Sequence, residues 1–469
     1  MKIAFIHYHL KTGGVTTVIR QQVEAIKEDC EVLILTGAPP DAPFPVDTIT
    51  IEGLGYDTFS PASPAPDKIA ASVIHSIHSK FGGPCEVLHV HNPTLAKNKQ
   101  FLKILKCLQQ NNCNLLLQIH DFAEDGRPRS YFSEEYPSDC HYGVINSRDY
   151  DILLKAGLKT DGLHKIFNIV KGLEFKQARR SFPPHVLYPI RAIRRKNIGE
   201  AALLSLFFRN NESLVITLPP NSPIDIASYE GWKAFATDNG LKIEFDAGLV
   251  HDFSDLVQTS RFLITTSITE GFGFSFIEAW LANKLVWGRK LSGICFDFER
   301  NGIRLDHLYE RLLVPLEWIG KDDYFSKWQA CVLKNCNLFD YPIDPSVIKD
   351  TFAAIAENDT VDFAMLDEAL QKRVILTVLS NKSAFETLLR LNPYLIDPGR
   401  VADIEGLIRQ NRMAVAKSYN RESYRTNLLK IYARVAEASI RQRIDKAAVL
   451  NHFLNLNEFS LLKWGDYVE

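Results

Sequence analysis

Two glutamates, Glu270 and Glu278, bracket the glycine- and phenylalanine-rich stretch EGFGFSFIE. A carboxylate in so apolar a setting needs a partner, because a buried charge is costly unless it is paired. The run FLITTS before it reads as a strand, and SFIEAWLA within and after it as a helix. Gly271 and Gly273, with Phe272 between them, therefore offer bare backbone amides at a helix N-terminus, a place that suits an anion. Glu278, in the first turns of that helix, can accept hydrogen bonds from the two hydroxyls of a ribose. Glu270, ahead of the turn, can face a group being transferred. Taken alone, Glu278 needs no more than the helix dipole, an effect under about 1 kcal/mol.

A second set lies in LYPIRAIRRKN, where Arg191 and Lys196 leave the end of a strand at the start of a helix. Two cations there can clamp a diphosphate, arginine through paired hydrogen bonds and lysine as a point charge, although a solvated basic turn explains the segment on its own. Gly13 and Gly14 in KTGGV follow the first strand and either make a tight turn or let amides approach a substrate or phosphate closely. Five histidines, His7, His9, His89, His91 and His120, gather near one sheet edge, since residues i and i+2 of a strand share a face. They could hold zinc, but no His-Glu-x-x-His segment or cysteine pair accompanies them, and the polar lining of a cleft is the simpler expectation. The triplet DYD, Asp149 to Asp151, looks like a metal-binding D-x-D, yet it opens a helix and Asp149 is expected as an N-terminal helix residue. No metal is predicted.

The elements that must position these groups alternate. KIAFIHYH, EVLILTG, EVLHVHN, NLLLQIHD and YGVINSR read as strands covered on both faces, separated for the most part by helices such as VTTVIRQQVEAIKE and LAKNKQFLKILKCLQQ. That order predicts a parallel, doubly wound sheet, whose ligands sit beyond the carboxyl ends of the strands. A proline-rich excursion over residues 38 to 66 surrounds a weak strand, TITIEGL. The alternation resumes with HVLYPIRA, SLVITLPP, LKIEFDAG, RFLITTS and KLVWGRK, so two Rossmann-like domains in tandem are expected, with a boundary near residues 179 to 185. From about residue 345 the strand signal disappears and the chain reads as helical, with SYNRESY as a cap-like break. The expected domains are 1–180, 181–400 and, as C-terminal helices packing back on the first domain, 401–469.

Composition limits the function classes. A chain of 469 residues with 46% hydrophobic content fits two or three cores. The formal net charge is -2 and the largest basic cluster is RAIRRK, so nothing argues for nucleic acid or an anionic membrane. Eight scattered cysteines without a C-x-x-C pair fit reduced thiols in a cytoplasmic protein. The N-terminus reads as a first strand with no signal peptide, and no apolar run reaches the roughly 18 residues of a membrane span, so a soluble chain is expected.

Taken together, these segments resemble the retaining, nucleotide-sugar-dependent glycosyltransferases of family four. Their signature, a Glu, seven residues and a second Glu, matches Glu270 to Glu278. Their diphosphate pair maps onto Arg191 and Lys196, although Pro189 and Ile190 replace the usual glycine context and Asn197 follows the lysine. TGGV matches the glycine-rich first loop, and QIHD the segment whose histidine, here His120, contacts the sugar. SRDYDILLKAG and NRMAVAKSYNRESYRTNLLKIY also look like family segments. The resemblance implies the α/β GT-B fold, two facing Rossmann-like parallel-sheet domains with a helical C-terminal extension. It also implies a metal-independent, front-face transfer of a hexose from a nucleoside diphosphate sugar to an acceptor hydroxyl, without a separate cofactor and with domain closure excluding water. Glu270 and His120 would be the catalytic residues. Gly13, Gly14, Arg191, Lys196, Gly271, Phe272, Gly273 and Glu278 would bind the donor. The alternatives are a GT-B sugar phosphorylase, a nucleotide-sugar epimerase, or a non-catalytic GT-B subunit that binds nucleotide sugar. Residues 340 to 400 match no family segment, and the tail after 440 is long; either could form an acceptor or homo-oligomer surface.

Overall fold

A computed structural model describes residues 1–57, 64–172, 182–356 and 358–465. Seven parallel strands form the first sheet: β1 (Lys2–His7), β2 (Glu31–Thr36), β3 (Thr48–Thr50), β4 (Val87–His91), β5 (Leu115–Ile119), β6 (His141–Val144) and β7 (Leu163–Lys165). Their order is β3-β2-β1-β4-β5-β6-β7. Every residue of β4 and β5 is buried, because helices cover both faces of a parallel sheet and leave no polar side to the strand. The second sheet has five strands, β8 (His185–Arg191), β9 (Ser213–Leu218), β10 (Ile243–Glu244), β11 (Leu263–Thr265) and β12 (Val286–Gly288), in the order β10-β9-β8-β11-β12. Both are Rossmann-like α/β sheets.

The order of each sheet reverses once, between β1 and β4 in the first and between β8 and β11 in the second. At such a switch point the connections leave toward opposite faces and open a crevice beyond the carboxyl ends, which is where open sheets hold ligands.

The chain divides into two compact units, Met1–Ile169 with Ser418–Leu454, and Val170–Lys417 with the chain from Asn455 on. Of the boundary region expected at 179 to 185, residues 179–181 lie outside the described residues, as does part of the proline-rich SPASPAP segment. In the first unit the helix Arg421–Glu437 buries Tyr424, Leu428, Ile431, Tyr432 and Val435 in a core with Ile3, Phe5, Ile19, Val23 and Leu116. Asn420 caps it, accepting from the backbone of Ser423 at 2.9 Å, which is the break read in SYNRESY. Helix Lys446–Phe453 adds Val449 and Phe453 to the core on the other sheet face. In the second unit, Trp328 and Asn335 donate to the carbonyls of Phe459 and Trp464, both at 3.0 Å, and so hold residues 456–464.

The expectation of a strand-free chain beyond 345 is corrected. Thr360–Asp362 forms β14, antiparallel to β13 (Leu313–Pro315), with Leu313 opposite Asp362. A three-residue strand with one buried apolar residue, Val361, has too short a period to register in the sequence.

Candidate functional site

The described edge of the second unit is built by the two segments that leave its switch-point strands. After β8 the chain turns through a single 3-10 turn, Arg194–Lys196. Its carbonyls are pinned to the segment after β11: Ile268 N–H donates to Arg195 O at 3.0 Å, and Thr266 Oγ1 lies 3.0 Å from both the Lys196 and Asn197 carbonyl oxygens. Tyr188 Oη, on β8, donates to Lys196 O at 2.5 Å. The basic turn and the Glu270 segment are thus tied together by hydrogen bonds, and Lys196 Nζ pairs with Glu270 Oε1. Glu270 is buried. Burial alone would raise its carboxyl, but the charges of Lys196 and Arg195 and the hydrogen bond from Lys196 outweigh that and hold it below its ordinary value. Glu278 stands at the surface, where desolvation by surrounding protein raises its carboxyl against the opposing charge of Lys196. Lys196, Glu270 and Glu278 are therefore brought together.

Arg191 is exposed, and its guanidinium donates to Pro219 O at 3.0 Å, at the end of β9. Gly271 is half-buried. Phe272 is a core side chain, edge-on to Phe274 at 4.9 Å and to Phe298 at 5.7 Å, so only its backbone remains for a ligand. Gly273 has φ +88°, and a Cβ there would meet Ile294 Cγ2 at 2.8 Å; the turn admits no other residue without strain. Beyond it come a 3-10 turn, Phe274–Phe276, and a short helix, Glu278–Leu281.

Sequence reasoning missed the brace beneath this edge. Asn197 has φ 54° and caps the helix Ile198–Ser205, a left-handed position that asparagine tolerates better than most residues. Its side chain donates to Glu200 Oε2 at 2.8 Å and accepts from Gln371 Nε2 at 3.0 Å. Fully buried Glu200 takes the Arg289 guanidinium at 2.7 Å and Tyr309 Oη at 2.7 Å, and Arg289 also pairs with Asp362 at 2.7 Å. Asp362 and Gln371 come from the stretch 340–400. Arg195 stood within the recognised basic run; the others show no local signal.

In the first unit, Gly13 and Gly14 open the helix Gly14–Ile26 and are exposed, with no atom within 4 Å of where a Gly14 Cβ would stand. Gly13 is extended, at φ 175°, a conformation open to any residue. The histidines form a column. His89 and His91 stack at 4.6 Å, His91 and His120 at 5.1 Å, and His7 contacts His9 at 5.5 Å. His91 Nδ1 hydrogen-bonds His120 Nε2 at 2.9 Å, and His89 joins Tyr432 Oη and Gln118 Oε1, each at 2.9 Å. His89 and His91 are fully buried and His7 and His120 nearly so, so the expected cleft lining is corrected: the rings form a hydrogen-bonded column in the interior, packed between covered strands. His120 follows β5 directly and is buried; burial lowers its pKa to about 4 and those of His7 and His89 to about 3. Asn146 caps the helix Ser147–Lys155, and Asp149 lies in its first turn, paired with Arg148 at 2.9 Å. Among the described residues no group of three or more His, Cys, Asp or Glu is arranged to hold a metal ion.

No protein-family model matches the chain. It is 25% identical over 439 residues to the mannosylglucosyl-3-phosphoglycerate synthase of Petrotoga mobilis, covering 83% of each protein. Its fold is similar to that of the sucrose-phosphate synthase of Thermosynechococcus elongatus, with a TM-score of 0.54 at 15% identity over 93% of this chain and all of that one. The Anabaena protein HepE, solved with UDP and glucose, gives a TM-score of 0.51 at 11% identity over 92% of this chain and 99% of the other. The two sheets and the curated likeness define the class: the chain has the GT-B architecture and is an enzyme, a glycosyltransferase. Among the described residues no helix is long and apolar enough to cross a membrane.

Proposed function

We propose that this enzyme is a retaining hexosyltransferase of the family-four kind, taking a hexose from a nucleoside diphosphate sugar to an acceptor hydroxyl. The observation that carries the reading is the convergence of Lys196, Glu270 and Glu278, from segments leaving the two switch-point strands β8 and β11, on one strand-end edge. In the reaction the bond from the sugar's anomeric carbon to the diphosphate breaks, and the electron pair leaves with the diphosphate oxygen. The acceptor oxygen bonds the same face of that carbon, and its proton passes to the leaving oxygen. Arg191, Lys196 and the amides near Gly273 stabilise the charge that develops on the diphosphate. Glu278 takes the ribose hydroxyls, Glu270 and His120 position the sugar, and Gly13 and Gly14 bring backbone amides to the substrate. No metal ion or separate cofactor takes part, and the enzyme works in the cytoplasm.

Thermal shift with UDP-, GDP- and ADP-sugars identifies the donor, since a ligand at 100 times its dissociation constant stabilises by about 2.7 kcal/mol. Because the Petrotoga relative is a mannosylglucosyl-3-phosphoglycerate synthase, phosphoglycerate glycosides head the acceptor panel. Release of nucleoside diphosphate, undiminished by EDTA, is expected; sugar 1-phosphate or epimerised donor as product, or restoration by manganese after chelation, would overturn the reading. Arg191 tests the diphosphate site without disturbing the fold, being exposed. Arg191→Ala should weaken nucleoside diphosphate binding by about 1.5 to 3 kcal/mol, the worth of a charge-assisted hydrogen bond. Unchanged affinity in calorimetry removes Arg191 from the site.

A further inference from the structure

The His120 imidazole is held at one nitrogen. His91 Nδ1 lies 2.9 Å from His120 Nε2, with the rings inclined by 16°, and Asn92 Oδ1 accepts the His120 backbone N–H at 2.8 Å. A single proton lies between the two rings, and the outer nitrogens decide whose it is. His91 Nε2 is buried without a hydrogen-bond partner, whereas His120 retains 6% exposure. If His120 Nε2 carried the shared proton, neutral His91 would carry its own on Nε2, a buried N–H with no acceptor. If His91 Nδ1 carries it, the orphan at Nε2 is a lone pair, the commoner condition in folded proteins. Burial lowers the pKa of both rings, which keeps both neutral at physiological pH. His91 has little freedom to turn away, stacked on His89 at 4.6 Å and on Phe5 at 5.9 Å.

We propose that His91 is a positioning residue: by donating from Nδ1 to His120 Nε2 it fixes His120 as the Nδ1–H tautomer, making the free nitrogen of His120 a hydrogen-bond donor for an oxygen of the bound sugar. This rests on the reading of His120 as a sugar-facing residue. A donor fixed at that place holds the sugar in the geometry of transfer, an interaction strongest in the transition state, so its effect falls on turnover more than on donor binding.

Proton–nitrogen correlation spectra of the unliganded full chain with ring-labelled histidine, assigned with His120→Gln, read the tautomer directly. The Nδ1–H form of His120 is expected, and the Nε2–H form overturns the inference. His91→Phe keeps a stacked ring and removes the bond; it should lower kcat about three- to tenfold, the net worth of one hydrogen bond, with the donor KM little changed. His91→Asn, whose amide can donate from near the Nδ1 position, should restore most of the loss. Equal losses in the two variants would make His91 structural only and also overturn the inference. His120→Ala judges the underlying reading separately: a stable variant with near-normal kcat removes His120 from the sugar site, while the wild-type spectrum still decides which ring carries the proton.

Discussion

Lys196 and Glu270 form a pair from which neither charge can be removed alone. Glu270 keeps only 7% of its surface, and its partner arrives from a turn whose backbone is fixed by Tyr188, Thr266 and Ile268. Lys196→Met should therefore leave a buried carboxylate without its hydrogen-bonded partner, with only the Arg195 charge opposing its burial, and cost about 3 to 5 kcal/mol in urea unfolding at pH 7. Adding Glu270→Gln should recover a large part of that, because an unpaired amide is cheaper to bury than an unpaired charge. The pH dependence follows from the same pair. In the wild type the folded Glu270 value is depressed, so its contribution is full at neutral pH and is lost as pH falls from the ordinary glutamate range through the lowered value. In Lys196→Met burial acts unopposed by lysine, and the deficit against wild type should shrink as pH falls. A Lys196→Met chain as stable as wild type at pH 7 would show that the pair does not hold this edge.

At the scale of elements, two left-handed residues set the site's shape. Gly273→Ala places a Cβ 2.8 Å from Ile294 Cγ2 at φ +88° and should cost about 1 to 3 kcal/mol. Asn197 combines φ 54° with hydrogen bonds to Glu200 and Gln371. Asn197→Gly keeps the backbone and loses the bonds, and Asn197→Ala loses both, so melting temperatures should fall in the order wild type, Gly, Ala; an Ala variant as stable as Gly would mean that the left-handed backbone carries no cost. The sequence displayed what is local. Continuous apolar runs marked β1, β2, β4, β5, β8, β9 and β11, and Glu270, Lys196 and His120 lay beyond the ends of β11, β8 and β5. Short edges were less readable: LKIEFDAG suggests a full strand, but only Ile243 and Glu244 pair with β9, and β7 is three residues long. The Asn197 to Gln371 contact spans 174 residues and the Arg289 to Asp362 pair 73, so no periodicity or motif could join them. Phe272, legible as part of a motif, gives its side chain to the core.

At the scale of the molecule, the first unit combines an acid-sensitive interior with a borrowed helix. His7, His89 and His120 are neutral when folded because burial lowers them to about 3, 3 and 4, while an unfolded histidine titrates near about 6.5. Below that value the unfolded chain binds more protons, so stability is full above about pH 6.5 and falls as pH drops toward the folded values. Calorimetry should show a lower melting temperature at pH 5 than at pH 7.5, with His89→Gln reducing the difference; a flat profile would mean that these rings are not buried neutral. The unit also depends on chain that arrives late. Ile169 ends its first portion and Ser418 begins its second, and the returning helix Arg421–Glu437 supplies Tyr424, Leu428, Ile431, Tyr432 and Val435 to the core around Ile3 and Phe5. Burying each large apolar side chain is worth about 1.5 to 3 kcal/mol, so five of them amount to a sum comparable with the roughly 5 to 15 kcal/mol that stabilises a typical domain. A chain ending at Lys417 should therefore leave the first unit unfolded or aggregated, read by size-exclusion chromatography and by loss of protease resistance in residues 1–169. Supplying residues 418–454 as a separate peptide should restore resistance, since the capped helix brings its own apolar face. A truncated chain that stays monomeric and resistant without the peptide would show that the sheet and its other helices suffice.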